Sequence, residues 1–145
     1  PAAESRRVLV VDDDEQLASY LSALLEAGGA GVEVSTARDG FDAGHKVHNF
    51  QPDVLLLDLM MPGLDGFGVC RRLKADPHTR AIRIIAMTGY HTPENAQRIL
   101  AEGAEACLAK PFSAEELFTQ LGPGYGAVPG MGGDDAGLAA PTVTG

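Results

Sequence analysis

Four stretches of apolar residues in this chain stop on side chains that can do chemistry. Asp53-Val-Leu-Leu-Leu-Asp58 is a short apolar run closed by a carboxylate, and Met61-Pro62-Gly63 turns the chain just after it. Arg7-Val-Leu-Val-Val11 stops at Asp12-Asp13-Asp14, Ala81–Met87 stops at Thr88-Gly89, and Ala106-Cys-Leu-Ala109 stops at Lys110-Pro111-Phe112. Acids, one acid, a hydroxyl and an ammonium therefore stand at four strand ends. Carboxylate oxygens gathered in this way suit a hard divalent cation. In a parallel sheet all four ends lie on one edge, where open α/β sheets place their sites. An isolated aspartate at such a position is most often a turn or cap residue. Asp14 is read as a cap and left out of the site.

The elements that must position these groups alternate strand and helix five times, which predicts a parallel sheet covered on both faces. The first helix is capped by Asp13 or Asp14 and runs to about Ala27, with Leu17, Leu21, Leu24 and Leu25 at helical spacing. Val32-Glu33-Val34 is a short second strand. A second helix is expected from Gly40 to Phe50 with Phe41, Val47 and Phe50 inward. Gly44 inside it makes it the least stable helix. Asp65 caps a third helix that buries Phe67, Cys70 and Leu73 and closes at Pro77. Thr92-Pro93 opens a fourth that ends at Gly103. Ser113, with Glu116 three residues on, forms a capping box for a fifth that ends near Leu121.

The motifs Val10-Val11-Asp12-Asp13, Leu57-Asp58-Leu59-Met60-Met61-Pro62-Gly63-Leu64-Asp65-Gly66, Met87-Thr88-Gly89 and Lys110-Pro111-Phe112 resemble those of receiver domains of two-component response regulators, the chemotaxis receivers included. The resemblance spans about Arg6 to Leu121. It implies a flavodoxin-like, doubly wound five-stranded parallel sheet, (βα)5, in strand order 2-1-3-4-5. It implies that Asp58 accepts a phosphoryl group from a phosphohistidine on a sensor histidine kinase or a histidine phosphotransfer protein. Mg2+ (or Mn2+) would be held by Asp13 and Asp58 directly, by Asp12 through water and by the Met60 backbone carbonyl. Lys110 would pair with Asp58 at rest and with the phosphoryl group afterwards, and Thr88 would supply the switch hydroxyl.

Two departures from the family pattern stand out. Cys107 occupies the place, three before Lys110, of an aromatic residue whose rotamer couples to the threonine. Ala106 stands where receivers that dimerise through the fourth and fifth helices often carry an acid. The fifth helix lacks the usual basic partner, so that dimer, and the winged-helix transcription-factor subclass with it, is disfavoured. Met60 and Tyr90, two residues after Asp58 and Thr88, tune phosphoryl loss in the family. Neither readily orients an attacking water, which implies a long-lived phosphoform.

Composition bounds the alternatives. The 145 residues suffice for one domain, and 45% of them are hydrophobic. A net charge of −9 argues against direct nucleic acid binding by this segment. No apolar run approaches membrane-spanning length and no leader is visible, so a cytoplasmic location is expected. Cys70 and Cys107 read as reduced thiols, and the scattered His45, His48, His78 and His91 read as exposed rather than ligating.

Residues 1–5 are expected as a disordered lead, 6–121 as the receiver domain and 122–145 as a flexible Gly/Pro/Ala-rich linker or tail. Pro1 at the start suggests a processed product or a piece of a longer protein, with an output or kinase domain outside it. A phosphorylation-independent interaction module of the same fold is the alternative function, but it would be marked by loss of an acid, the threonine or the lysine. An aspartyl-phosphate hydrolase would need a second acid where Met60 stands. A nucleotide-binding domain would need a glycine-rich loop after the first strand.

Overall fold

The computed structural model describes residues 6–130. The expectations for residues 1–5 and for the end of the tail lie outside the described residues. Five strands and five helices alternate: β1 (Arg7–Val11), α1 (Glu15–Glu26), β2 (Glu33–Ala37), α2 (Gly40–Phe50), β3 (Val54–Asp58), α3 (Gly66–Ala75), β4 (Arg83–Thr88), α4 (Pro93–Ala101), β5 (Ala106–Ala109) and α5 (Ala114–Leu121). The strands form one parallel sheet in the order β2-β1-β3-β4-β5. The flavodoxin-like, doubly wound (βα)5 arrangement expected from the motifs is the fold observed. No helix among the described residues is long and apolar enough to cross a membrane.

Side-chain alternation along the strands divides the core into two layers. Val8 and Val10 of β1, Val54 and Leu56 of β3 and Ile85 and Met87 of β4 meet Leu17, Leu21 and Leu25 of α1 and Leu117 and Leu121 of α5. The intervening residues Leu9, Val11, Leu55, Leu57, Ile84 and Ala86 turn to the other face, where Cys70 of α3 and Ile99 of α4 cover them. β3 is buried at all five positions, which is why its sequence is a continuous apolar run and not an alternation.

The helix caps follow the local chemistry. Asp14, not Asp13, accepts the N–H groups of Gln16 and Leu17 at the start of α1. Asp65 caps α3, Thr92 caps α4 with Pro93 behind it, and Ser113 and Glu116 close a reciprocal capping box on α5. In α3 Cys70 is fully buried, while Phe67 and Leu73 are half-buried against the same core layer.

Three expectations are corrected. β2 continues to Ala37 rather than stopping at Val34, because Ser35, Thr36 and Ala37 pair in register with Leu9, Val10 and Val11. Its middle residues are half-exposed at the sheet edge and carry no apolar signal. Phe41 is 87% exposed rather than inward. It stands two residues before buried Ala43, and positions two apart in an α-helix point to nearly opposite sides. Val47 and Phe50 do pack on the core.

The third correction concerns the tail. Gly122–Gly130 was expected to bury nothing, yet Tyr125 is buried in the α1/α5 core layer and Val128 packs beside it. The guanidinium groups of Arg6 and Arg83 lie 5.3 and 5.5 Å from the centre of the Tyr125 ring. Arg6 also donates to the Gly124 carbonyl at 2.9 Å, and the Ala127 N–H donates to the Gly28 carbonyl. Glycine makes this path feasible: Gly124 and Gly126 have φ of +96° and +104°, and a Cβ on Gly126 would lie 2.6 Å from the Gly28 oxygen.

Arg83 ties the segment to the sheet. It forms an ion pair with Glu105 and donates to the Leu121 and Gln120 carbonyls at 2.9 and 3.1 Å. Tyr125→Ala is expected to cost about 3 kcal/mol, the usual loss for a buried aromatic ring. Urea denaturation measures it. A shift below about 0.5 kcal/mol, the scatter of surface substitutions, would show that the segment is not part of the domain.

Candidate functional site

The carboxyl ends of β1, β3, β4 and β5 converge, and each delivers one of the groups expected from the sequence. Asp12 leaves β1 fully buried, and its N–H donates to the Ala37 carbonyl of β2 at 3.0 Å. Asp58 is the last residue of β3 and is 3% exposed. The next N–H, of Leu59, donates to the Met87 carbonyl of β4 at 2.9 Å, so the ladder fixes the direction in which the chain leaves the sheet. Thr88 closes β4 and is 1% exposed. Its carbonyl accepts the Lys110 N–H at 2.8 Å, which sets the lysine at the same level. The peptide between Lys110 and Pro111 is cis.

Asp12, Asp13 and Asp58 each bring a carboxylate oxygen to within 4.8 Å of the others. Asp13 is exposed, whereas the other two are buried. Lys110, its side chain 8% exposed, reaches between the buried pair: Nζ lies 2.8 Å from Asp12 Oδ2 and 3.4 Å from Asp58 Oδ2. The resemblance pairs the lysine with Asp58 at rest, and the nearer partner is Asp12. The second oxygen of each acid is satisfied locally. Asp12 Oδ1 accepts the Asp14 N–H at 2.9 Å, and Asp58 Oδ1 accepts the Met60 N–H at 3.0 Å.

Burial raises the Asp12 carboxyl above the ordinary aspartate range, and the charge of Asp58 adds to the rise. The Lys110 hydrogen bond and the Asp14 N–H oppose it without cancelling it. For Lys110 burial works the other way, but the bonds and charges of Asp12 and Asp58 outweigh it and raise the ammonium's pKa. The site is thus short of positive charge, with three acids around one ammonium. Oxygen-only donors, two of them buried, make a set that suits Mg2+ or Mn2+.

The groups expected to tune the site lie at its rim. Met60 is 52% exposed and Tyr90 is 66% exposed, so neither side chain is packed into the acidic cluster. Thr88 Oγ1 accepts the Tyr90 N–H at 3.0 Å. Cys107 pairs in register with Ala86 and is half-buried against the α2–α4 side of the core. Burial pushes its thiol up. Arg38, just after β2, forms an exposed ion pair with Glu15 in the first turn of α1. The sequence offers no signal for that pair, since neither residue belongs to a motif and an arginine after an edge strand is commonplace.

A doubly wound parallel sheet with three carboxylates, a lysine and a buried hydroxyl on its carboxyl edge defines the class. The chain belongs to the response regulator receiver domain family, whose model matches residues 8–122. Response regulator PleD of Caulobacter vibrioides is 44% identical over 117 residues, which cover 81% of this chain and 25% of PleD. The chain thus spans about a quarter of that relative's length. The signal receiver domain of a DNA-binding response regulator from Colwellia psychrerythraea 34H superposes with a TM-score of 0.78 at 41% identity, covering 81% of this chain and 95% of that one. A Burkholderia pseudomallei response regulator, described with a phosphorylated aspartic acid, a calcium ion and citrate, gives 0.73 at 26% identity over 82% of this chain and 68% of that one. This chain is a receiver domain of the two-component signalling systems.

The burial of Asp12 has a consequence for stability. Because the folded state raises the pKa of Asp12, it binds that proton more tightly than the unfolded chain does. Ionised Asp12 therefore costs stability at neutral pH, and the cost fades as pH falls through the raised value toward the ordinary one near 3.8. In metal-free buffer Asp12→Asn is expected to raise Tm at pH 7.5, with the gain shrinking toward pH 4. Thermal melts across that range check it, and a lower Tm at pH 7.5 would show that Asp12 is needed as the lysine's partner.

Proposed function

We infer that Asp58 is the phosphoacceptor of this receiver domain. The observation that carries the reading is its placement: a nearly buried carboxylate at the end of the central strand, inside a cluster of acids and 3.4 Å from Lys110 Nζ. An Asp58 oxygen attacks the phosphorus of a phosphohistidine on a sensor histidine kinase or histidine phosphotransfer protein. The P–N bond breaks, the imidazole leaves with the electron pair, and an acyl phosphate forms. Asp12, Asp13, Asp58 and the Met60 carbonyl would hold Mg2+ or Mn2+, which supplies positive charge to the phosphoryl oxygens when bound. The phosphorylated aspartate of the Burkholderia relative supports the assignment by likeness.

The chain's own residues do the rest. Lys110 already lies within reach of Asp58 and can pair with a phosphoryl oxygen as a fixed point charge. Thr88 Oγ1 accepts from the Tyr90 N–H and keeps its own proton to donate. A hydrogen bond from that hydroxyl to a phosphoryl oxygen exists only in the phosphorylated state, and such a differential contact is what shifts a conformational equilibrium. With Cys107 in the place of an aromatic ring, the outer coupling to β5 runs through a smaller side chain. The domain turns over no metabolite. It acts in the cytoplasm, binds neither nucleic acid nor membrane itself, and controls a partner or output domain.

Incubation with Mg2+ and acetyl phosphate, read by intact mass, is expected to add one phosphoryl group to the wild type and none to Asp58→Asn. A wild type that binds Mg2+ but gains no mass would leave the phosphorylation-independent interaction module as the reading. Mg2+ alone is expected to raise Tm, since binding to the folded state stabilises it.

The exposed Met60 and Tyr90 side chains offer no group that orients water, so the phosphoform should be long-lived. Met60→Asn and Tyr90→Glu are each expected to shorten its lifetime several-fold, as followed by the decay of the phosphorylated mass. Unchanged lifetimes in both would overturn that point.

A further inference from the structure

On the face opposite α1 and α5, the helices α2 and α3 stand apart above the buried strand β3. A groove of about 840 Å3 lies between them, within the range of roughly 300–1,000 Å3 usual for small-molecule sites. Its walls include the half-buried Val47 of α2 and Val69 and Leu73 of α3, while Leu55 and Leu57 of β3 lie buried beneath them. The groove stands apart from the phosphorylation site and none of the chemistry described above uses it.

Gly44 is the residue that needs explaining. It lies inside α2, where glycine is less favourable than alanine. The fold does not require it: its φ is not positive, and an added Cβ would meet nothing within 4 Å. What the missing side chain does is leave the groove wall open, since Gly44 lines the groove.

The polar groups at the groove give the ligand's charge. Arg72 lines it from α3 and is in no ion pair among the described residues, although its neighbour Arg71 is paired with Glu102. His48 and Gln51 line it from the end of α2. The carboxylate in the lining, Asp76, is already engaged by the N–H and ring of His78 at 2.9 and 3.3 Å. In a chain of net charge −9, an apolar groove with an uncommitted guanidinium is complementary to an apolar body with an anionic head.

We propose that the α2–α3 groove binds a small carboxylate amphiphile, its apolar chain lying on Val47, Val69 and Leu73 and its carboxylate on Arg72.

Decanoate and decanol are the probes, titrated calorimetrically below the decanoate aggregation concentration, with sedimentation run on the same samples. One decanoate is expected to bind per chain. Gly44→Leu should weaken both probes at least tenfold while leaving acetyl phosphate labelling and Tm no worse than wild type. Arg72→Gln should weaken decanoate about tenfold and leave decanol unchanged. Absence of saturable decanoate binding to the wild type overturns the proposal, as does full binding by Gly44→Leu. Equal loss of both probes in Arg72→Gln overturns the carboxylate assignment. A wild-type dimer that Gly44→Leu turns into monomer, without decanoate binding, would assign the groove to a second copy of the chain instead.

Discussion

One ammonium shared by two buried carboxylates sets the terms for the rest of the structure. Lys110 reaches Asp12 at 2.8 Å and Asp58 at 3.4 Å, with a third acid, Asp13, at the open side. Taking the Asp12 carboxylate out of water is the largest contribution to its raised pKa, and the charge of Asp58 adds to it. The hydrogen bonds from Lys110 and from the Asp14 N–H oppose the rise without cancelling it. Three acids around one ammonium leave a local excess of negative charge, which is what a divalent cation can offset.

Holding such a site requires a scaffold that does not relax around it. Each acid is fixed at the point where its strand leaves the sheet. Asp12 donates to Ala37 of β2, Leu59 behind Asp58 donates to Met87 of β4, and Lys110 donates to Thr88. These three backbone bonds lie one residue past the ends of β1, β3 and β5 and tie each chain exit to the neighbouring strand. Beneath them, Val11, Leu57 and Met87 are fully buried. To separate the like charges, the chain would have to break ladder pairs and expose apolar surface, at about 25 cal/mol for each Å2 exposed. The cost of burying the acids is therefore held in the fold rather than relieved.

The convergence of acids, Thr88 and Lys110 at strand ends and four helix caps were legible because each rests on a local, strongly typed signal, whereas the strand order came with the family resemblance. An apolar run ending in Asp, or Ser113 followed by Glu116, carries its meaning within a few residues. What was illegible depends on contacts distant in sequence. The full length of β2 is set by register with β1, and Ser35 and Thr36 show no apolar pattern of their own. Phe41 looked like a core residue by type, and only its two-residue offset from Ala43 turns it outward. Tyr125 sits among glycines and prolines that read as linker. Its burial comes from Arg6, more than a hundred residues earlier, and from Arg83. Lys110's preference for Asp12 over Asp58 is likewise a matter of tenths of an ångström that no motif encodes.

The two edges of the sheet divide the labour. At the carboxyl edge, buried charges are under-compensated and the local structure carries a cost. At the amino edge, Arg83 is over-provided: a two-point pair with Glu105, two carbonyls at the end of α5 and the face of Tyr125. Such planar, multiply bonded arginine sites are among the stronger polar contacts available to a partly exposed group. They hold β4, β5, α5 and the segment after it together at the end remote from Asp58. The sheet thus has one end held by multiply bonded arginine contacts and one end that gathers three carboxylates around a single ammonium.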